Sequence, residues 1–328
     1  MGGVFYCASE FTEPFGTVSR QRGMLDRGHA MFDGFASQRI AVPGAAIHAL
    51  IGGSGPPMLL LHGHPQTHVM WHAVAGELAK SFTVVAADLR GYGDSSRPPT
   101  DDTGSAYAKR IMATDMTALM SRLGHEQFVL AAHDRGARVA HRLALDHPQR
   151  VQRLMLLDIA PTLAMYERTT EAFARAYWHW FFLIQPPPLP ERLIEADPRA
   201  YLRDVMGRRH AGLGAFAPQA LAQYERCIGL PGTAAAICSD YRASAGIDLE
   251  HDRADRAESR KLTMPVRVLW GAKGIVGRCF DVMALWRQAA LDVSGEAVDC
   301  GHYIAEESPV QLLAEMRAFF AGGPAGRP

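Results

Sequence analysis

The chain has 328 residues, 48% of them hydrophobic, enough to bury a large core as one domain or as a core with an insertion. Its 34 basic and 34 acidic residues balance, so composition offers no electrostatic footprint for nucleic acid or an anionic membrane. The five cysteines are scattered without a CxxC pair and no apolar run reaches the roughly 18 residues of a membrane span, which speaks against a disulfide scaffold, a zinc site or a spanning helix.

Residues 1–30 show no sustained period and lack the apolar stretch of a secretory signal; a loosely ordered extension and a cytoplasmic setting are expected. Residues 39–42 and 45–51 are strand-like around Pro43-Gly44, which predicts an antiparallel hairpin. Met58-Leu-Leu-Leu-Leu-His62 reads as a strand buried on both faces, and the following loop Gly63-His64-Pro65-Gln66-Thr67 falls at the carboxyl edge of the sheet, where open α/β folds bind ligands. A helix is predicted over 70–80 and a second buried strand over 82–88. The Gly-rich loop 89–98 lacks the spacing of a phosphate-binding fingerprint and is read as a structural turn. A helix over 106–123, closed by Gly124, leads into the strand Phe128–His133 and a further helix to His147-Pro148.

Another strand over 151–157 ends in Asp158. From Leu163 to about Glu250 the pattern turns helical and aromatic-rich, broken by Pro186-Pro-Pro188. Strands resume at 266–270 and 296–298 around a helix over 281–291; Cys300-Gly-His302, a last helix to about Phe320 and a Gly/Pro tail over 321–328 follow. Strands and helices alternating on both sides of one insertion predict an α/β fold with a doubly wound, mostly parallel sheet. Residues 31–162 and 251–320 would form the core and 163–250 a helical cap.

The chemistry centres on His133-Asp134-Arg135-Gly136-Ala137-Arg138. Ala132 and Gly136 flank a strand-to-helix bend with the small residues that a nucleophile elbow requires, and Asp134 stands where many hydrolases carry serine. A carboxylate stripped of solvent at a helix N-terminus can attack an electrophilic carbon and form an ester. Arg135 and Arg138, three apart on one helical face, offer paired donors for the carboxylate of a small acid; the plainer alternative is structural salt bridges with Asp134 as a helix cap. His62 is read as bracing its loop.

The order of His-Gly loop, elbow, acid, cap and late histidine is similar to that of the α/β-hydrolase superfamily. Within it the chain resembles the fluoroacetate (haloacetate) dehalogenases through His62-Gly-His-Pro-Gln-Thr-His68 with Met70-Trp71-His72, the elbow His133–Arg138, Trp178-His-Trp180 and Gly301-His302, over about residues 31–320. The resemblance implies hydrolytic dehalogenation of a small 2-haloacid with water and without cofactor or metal. In it Asp134 is nucleophile, His302 general base, Asp158 its orienting acid, and Arg135 and Arg138 the carboxylate clamp. The backbone N–H groups of His64 and Arg135 would form the oxyanion hole. Asp158 holds one of two positions known for the acid in this fold, the other being occupied by Gly274.

His179 and Trp180 match two halide-pocket donors of the family. Aligning Asp240-Tyr-Arg-Ala onward puts Gly246 where the family carries a third, a tyrosine; unless Tyr241 or a water substitutes, weakened release of fluoride relative to chloride or bromide is expected. His64, too, replaces a usual apolar aromatic residue. A homodimer follows by analogy. Two rivals remain: an epoxide hydrolase with the same Asp-His-Asp set and cap phenols from Tyr177 and Tyr241, and a catalytically silent receptor for a small acid. A haloalkane dehalogenase is disfavoured because Arg135 replaces the indole donor it would place after the nucleophile.

Overall fold

The structure is a computed structural model, and it describes residues 31–321. The expected N-terminal extension and the tail from 322 onward lie outside them. Gly44, at φ +71°, turns the chain between β1 (Ala36–Val42) and β2 (Ala45–Gly52), which pair antiparallel with Val42 opposite Ala45. The apolar runs become β3 (Pro57–Leu61), β4 (Thr83–Ala87), β5 (Phe128–His133) and β6 (Val151–Leu157), followed by β7 (Val266–Gly271) and β8 (Val293–Val298). They form one sheet in the order β1-β2-β4-β3-β5-β6-β7-β8, parallel from β4 onward. Leu59, Leu60, Leu130 and Leu156 are fully buried, which is why these central strands read as unbroken hydrophobic runs rather than alternating ones.

Local detail departs from the sequence reading where the signal is weak. β8 begins three residues earlier than expected, because an edge strand such as Val293-Ser-Gly-Glu need not be apolar on both faces. The helix expected over 70–80 divides into a 3₁₀ turn, His68–Trp71, and a helix, His72–Leu78; the Thr67 hydroxyl accepts the Val69 N–H at the start of the first. The short helix Ile275–Cys279 carries too little periodicity to be read beforehand.

Between β6 and β7 run helices from Thr162–Glu167 to Ile247–Ala257, past the boundary expected at 250. The helix Thr233–Ala245 packs over the carboxyl edge of the sheet through Asp240, which accepts hydrogen bonds from Tyr92 Oη (2.7 Å) in the Gly-rich loop and from Arg135 Nε (2.9 Å) in the elbow. That loop is a structural turn: a Cβ on Gly93, at φ +53°, would lie 2.1 Å from Asp88 Cγ. Among the described residues no helix is long and apolar enough to cross a membrane.

Candidate active site

The elbow is built by close approach. Asp134 opens the helix Asp134–Asp146 at φ +43°, a left-handed backbone that Asp tolerates better than most residues. Gly136 donates its N–H to His62 O (2.9 Å), and a Cβ there would stand 2.4 Å from that oxygen. A Cβ on Gly63 would stand 2.5 Å from Asp134 Cβ, so the loop after β3 closes on the elbow only because both residues are glycine. The closure delivers the His64 N–H to Asp134 Oδ1 at 3.0 Å. His62 braces the same loop, its Nδ1 donating to Gly63 O (2.9 Å) and its Nε2 accepting from Leu89 N (3.0 Å).

Asp134 is 3% exposed. Burial alone would push its carboxyl up, but the charges of His302, Arg138, His133 and Arg135 outweigh that and hold it well below the usual carboxylate range. The result is an ionised, desolvated carboxylate, the form that attacks carbon.

Asp158 ends β6 at φ +49°, and its N–H donates to Leu269 O (2.7 Å). Its Oδ1 accepts from Gly271 N (2.9 Å) and its Oδ2 meets His302 Nδ1 at 2.5 Å, with both side chains buried. An imidazole held through Nδ1 keeps Nε2 for a water molecule. A Cβ on Gly274 would lie 3.4 Å from Asp158 Oδ1, so the two positions from which an acid could serve this histidine converge on one place.

The two arginines differ. Arg135, fully buried, is bound by Asp240 through Nε (2.9 Å) and Nη2 (2.8 Å) and by Ser244 Oγ (2.6 Å); Lys109 also pairs with Asp240. Only its Nη1 lacks a partner. Arg138, 3% exposed, donates to Thr162 Oγ1 (2.9 Å) and Ala160 O (3.3 Å), lies over the Trp180 ring at 4.6 Å, and makes no ion pair among the described residues. Burial pulls its guanidinium below the ordinary arginine range, and the first charge opposing that is Asp134.

Facing them, Trp180 Nε1, Tyr241 Oη and His64 Nδ1 are buried without partners. The Tyr241 ring centre lies 5.4 Å from that of His64, 5.9 Å from His179 and 6.4 Å from Trp180, with the Arg135 guanidinium 4.0 Å over it. Burial pulls His64 down to about 3 and His179 well below the imidazole range, so both are neutral near pH 7. Burial also keeps the Tyr241 phenol protonated. The site thus combines an ionised carboxylate, a histidine with its acid, a cation without an acid partner and neutral donors.

Residues 56–309 match the alpha/beta hydrolase fold family. The chain belongs to the α/β-hydrolases. This hydrolase is 40% identical over 297 residues to a fluoroacetate dehalogenase of Burkholderia sp., covering 90% of this chain and 97% of the relative, in agreement with the resemblance read from the motifs. It is 35% identical over 288 residues to a soluble epoxide hydrolase of Corynebacterium sp., covering 85% and 95%. A crystal structure of an alpha/beta hydrolase from Nostoc sp. PCC 7120 superposes with a TM-score of 0.85 at 54% identity, covering 88% of this chain and 98% of that one.

Asp134, Asp158, His302, Arg135, Arg138, His64, His179, Trp180 and Tyr241, all singled out in the sequence, gather at this edge of the hydrolase sheet. One expectation is overturned. Gly246 is no gap in the pocket: it sits past the end of the helix Thr233–Ala245 and is exposed to solvent, whereas the pocket side chains are buried. Tyr241 reaches the pocket from within that helix and brings the phenol that the alignment had sought five residues later. Sequence reasoning missed the Asp240 anchor of Arg135, although Asp240 and Ser244 stand four residues apart on one face of the helix Thr233–Ala245. It also missed Tyr201, which shares a hydrogen bond with His64 Nε2 (3.1 Å), and Arg209, whose guanidinium lies 4.3 Å over the Tyr177 ring.

Proposed function

We propose that the protein is a hydrolytic dehalogenase of small 2-haloacids, haloacetates being the simplest, with Asp134 as nucleophile. An oxygen of Asp134 attacks the carbon bearing the halogen; the C–O bond forms as the C–halogen bond breaks, and the electron pair departs with halide toward the N–H and O–H donors of His179, Trp180 and Tyr241. His302, oriented by Asp158, then takes a proton from water, and the resulting hydroxide attacks the ester carbonyl. The N–H groups of His64 and Arg135 meet the oxyanion. Its collapse breaks the ester C–O bond, and the departing alkoxide takes the proton from His302 and leaves as the 2-hydroxy acid. The Asp134 carboxyl loses the remaining proton to solvent, which restores the carboxylate. The inserted helices act as a cap that keeps other water out.

The observation that carries this reading is Arg138, a buried cation with no ion-pair partner among the described residues. In the free protein the nucleophile opposes its charge. Once Asp134 becomes an ester that charge is gone, and an uncompensated buried cation costs several kcal/mol. A substrate that carries its own carboxylate replaces the lost charge; a neutral one does not.

The epoxide hydrolase reading draws support from the unpartnered Tyr241 phenol, which could protonate an opening ring, and from the likeness to the Corynebacterium enzyme. Halide release from fluoro-, chloro- and bromoacetate, set beside diol formation from styrene oxide, separates the two. Turnover in heavy-oxygen water should place label in the Asp134 peptide by mass spectrometry. Diol formation without halide release would decide for the epoxide, and an unlabelled peptide after haloacetate turnover would remove Asp134 as nucleophile.

A further inference from the structure

A cavity of about 340 Å³ opens beside the catalytic histidine, with His302 and His179 at its inner end and residues of the helical insertion and of the segment after β7 as its walls. Five of the lining side chains are cationic, Arg175, Arg208, Arg209, Lys273 and Arg278, and none is acidic. Arg175, Arg208 and Lys273 each have an exposed acid nearby: Glu171 at 2.6 Å, Asp204 at 3.2 Å and Asp299 at 2.9 Å. Arg209 and Arg278 make no ion pair among the described residues. Arg209 lies against the Tyr177 ring with its Nε buried and unpartnered. A concave wall of one sign with low-dielectric sides concentrates counter-ions at its base.

We propose that this cavity is an anion-capture vestibule that adjoins the catalytic site through His302 and His179. In it Arg209 and Arg278 draw small carboxylates out of solution and hold them loosely beside His302 before they move to Asp134. The ligand class is a monoanionic or dianionic small organic acid. A neutral substrate of the same size gains nothing from the vestibule, so the pair sets specificity through the rate of arrival rather than through the chemical step. As a kinetic device the proposal rests on the haloacid reading; as an anion site it does not.

Two measurements test it. The first is kcat/KM for chloroacetate against ionic strength, adjusted with sulfate so that no halide is added. The unaltered protein should lose roughly threefold to tenfold as salt rises, and the double variant R209Q/R278Q should begin low and lose little, with the change falling on KM more than on kcat. Lys261→Gln, which removes one exposed charge elsewhere, is the control and should keep the parent slope. A parallel salt slope in R209Q/R278Q overturns the kinetic claim.

The second needs no turnover. Trp178 lines the cavity and is half-buried, whereas Trp71, Trp180 and Trp286 are fully buried and Trp270, also half-buried, does not line it. The difference in fluorescence between the protein and its W178F variant therefore reports on the cavity. Iodide should quench that component more than neutral acrylamide does, and R209Q/R278Q should abolish the preference. Equal quenching by iodide and acrylamide in the parent overturns the anion site. Absence of halide release from any haloacetate ends the dehalogenase reading alone, and the iodide preference still decides the vestibule.

Discussion

The acids at the sheet edge and the donors that face them are satisfied to opposite degrees. At the edge each acid is satisfied: Asp158 by Gly271 N–H and His302, Asp134 by His64 N–H. Facing them from the wall, the elbow helix and the loop after β3, Trp180 Nε1, Tyr241 Oη, His64 Nδ1, Arg138 Nε and one nitrogen of Arg135 are buried and unmatched. Buried polar groups are nearly always paired, and each orphan costs about 1–3 kcal/mol. The edge is finished as protein. The wall is completed only by a ligand with acceptors of its own, and a small anion supplies them.

Replacing Asp134 by Asn attacks the finished side. Halide release should fall by roughly 10⁴-fold or more with the fold retained, as read by single-turnover assay and circular dichroism. The arginines then separate the two regions. Arg138→Gln should lower kcat/KM for chloroacetate by roughly 10²–10³-fold, the cost of leaving the bound carboxylate without its cation, while Tm falls less than in Arg135→Gln, because Arg138 makes no direct ion pair among the described residues and only helps to offset the buried Asp134 charge. Arg135→Gln leaves Asp240 with Lys109 as its remaining cation and should lower stability by about 3–5 kcal/mol in denaturant titration. Equal melting of both variants would erase the contrast between a structural and a ligand-facing guanidinium.

Tyr241→Phe probes the wall. It should cost roughly 10²-fold on fluoroacetate and less on chloroacetate, since fluoride, smaller and more strongly hydrated, depends most on each donor. An unchanged ratio between the two substrates would remove Tyr241 from the halide pocket.

The smallest effect falls on stability alone. Glu306, its side chain 1% exposed, accepts from Tyr224 Oη (2.5 Å) with Gln66 and His72 beside it, and burial pushes its carboxyl up to about 8. The folded state therefore binds a proton that the unfolded chain releases near the ordinary glutamate value, so stability should fall as pH rises between those two values. Tm scans from about pH 5 to about pH 9 should show that decline in the parent and a flatter profile in Glu306→Gln.

The parts legible in the sequence were those that local chemistry fixes. Central strands buried on both faces read as apolar runs, and Asp134, Asp158 and His302 each follow a strand at the edge where ligands bind. The insertion was harder, because a helix does not declare which face meets the site. Tyr241 therefore enters only as a substitute for a tyrosine at the place of Gly246, and nothing in the run Arg208-Arg209-His210 marks Arg209 out. Only tertiary contact with the Tyr177 ring gives Arg209 its place. The anchoring of Arg135 was legible in principle, from Asp240 and Ser244 four residues apart on one helix.

Both carboxylates of the proposed mechanism stand on left-handed backbone, Asp134 at φ +43° and Asp158 at φ +49°. Asn and Gly accept that conformation readily, whereas β-branched and bulky side chains are strained in it. Genetic drift at these two codons is thus channelled toward substitutions that leave the molecule standing and its chemistry extinguished. A lineage that lost the need for catalysis could retain the guanidinium-lined hollow and become a sensor of small acids within one mutational step.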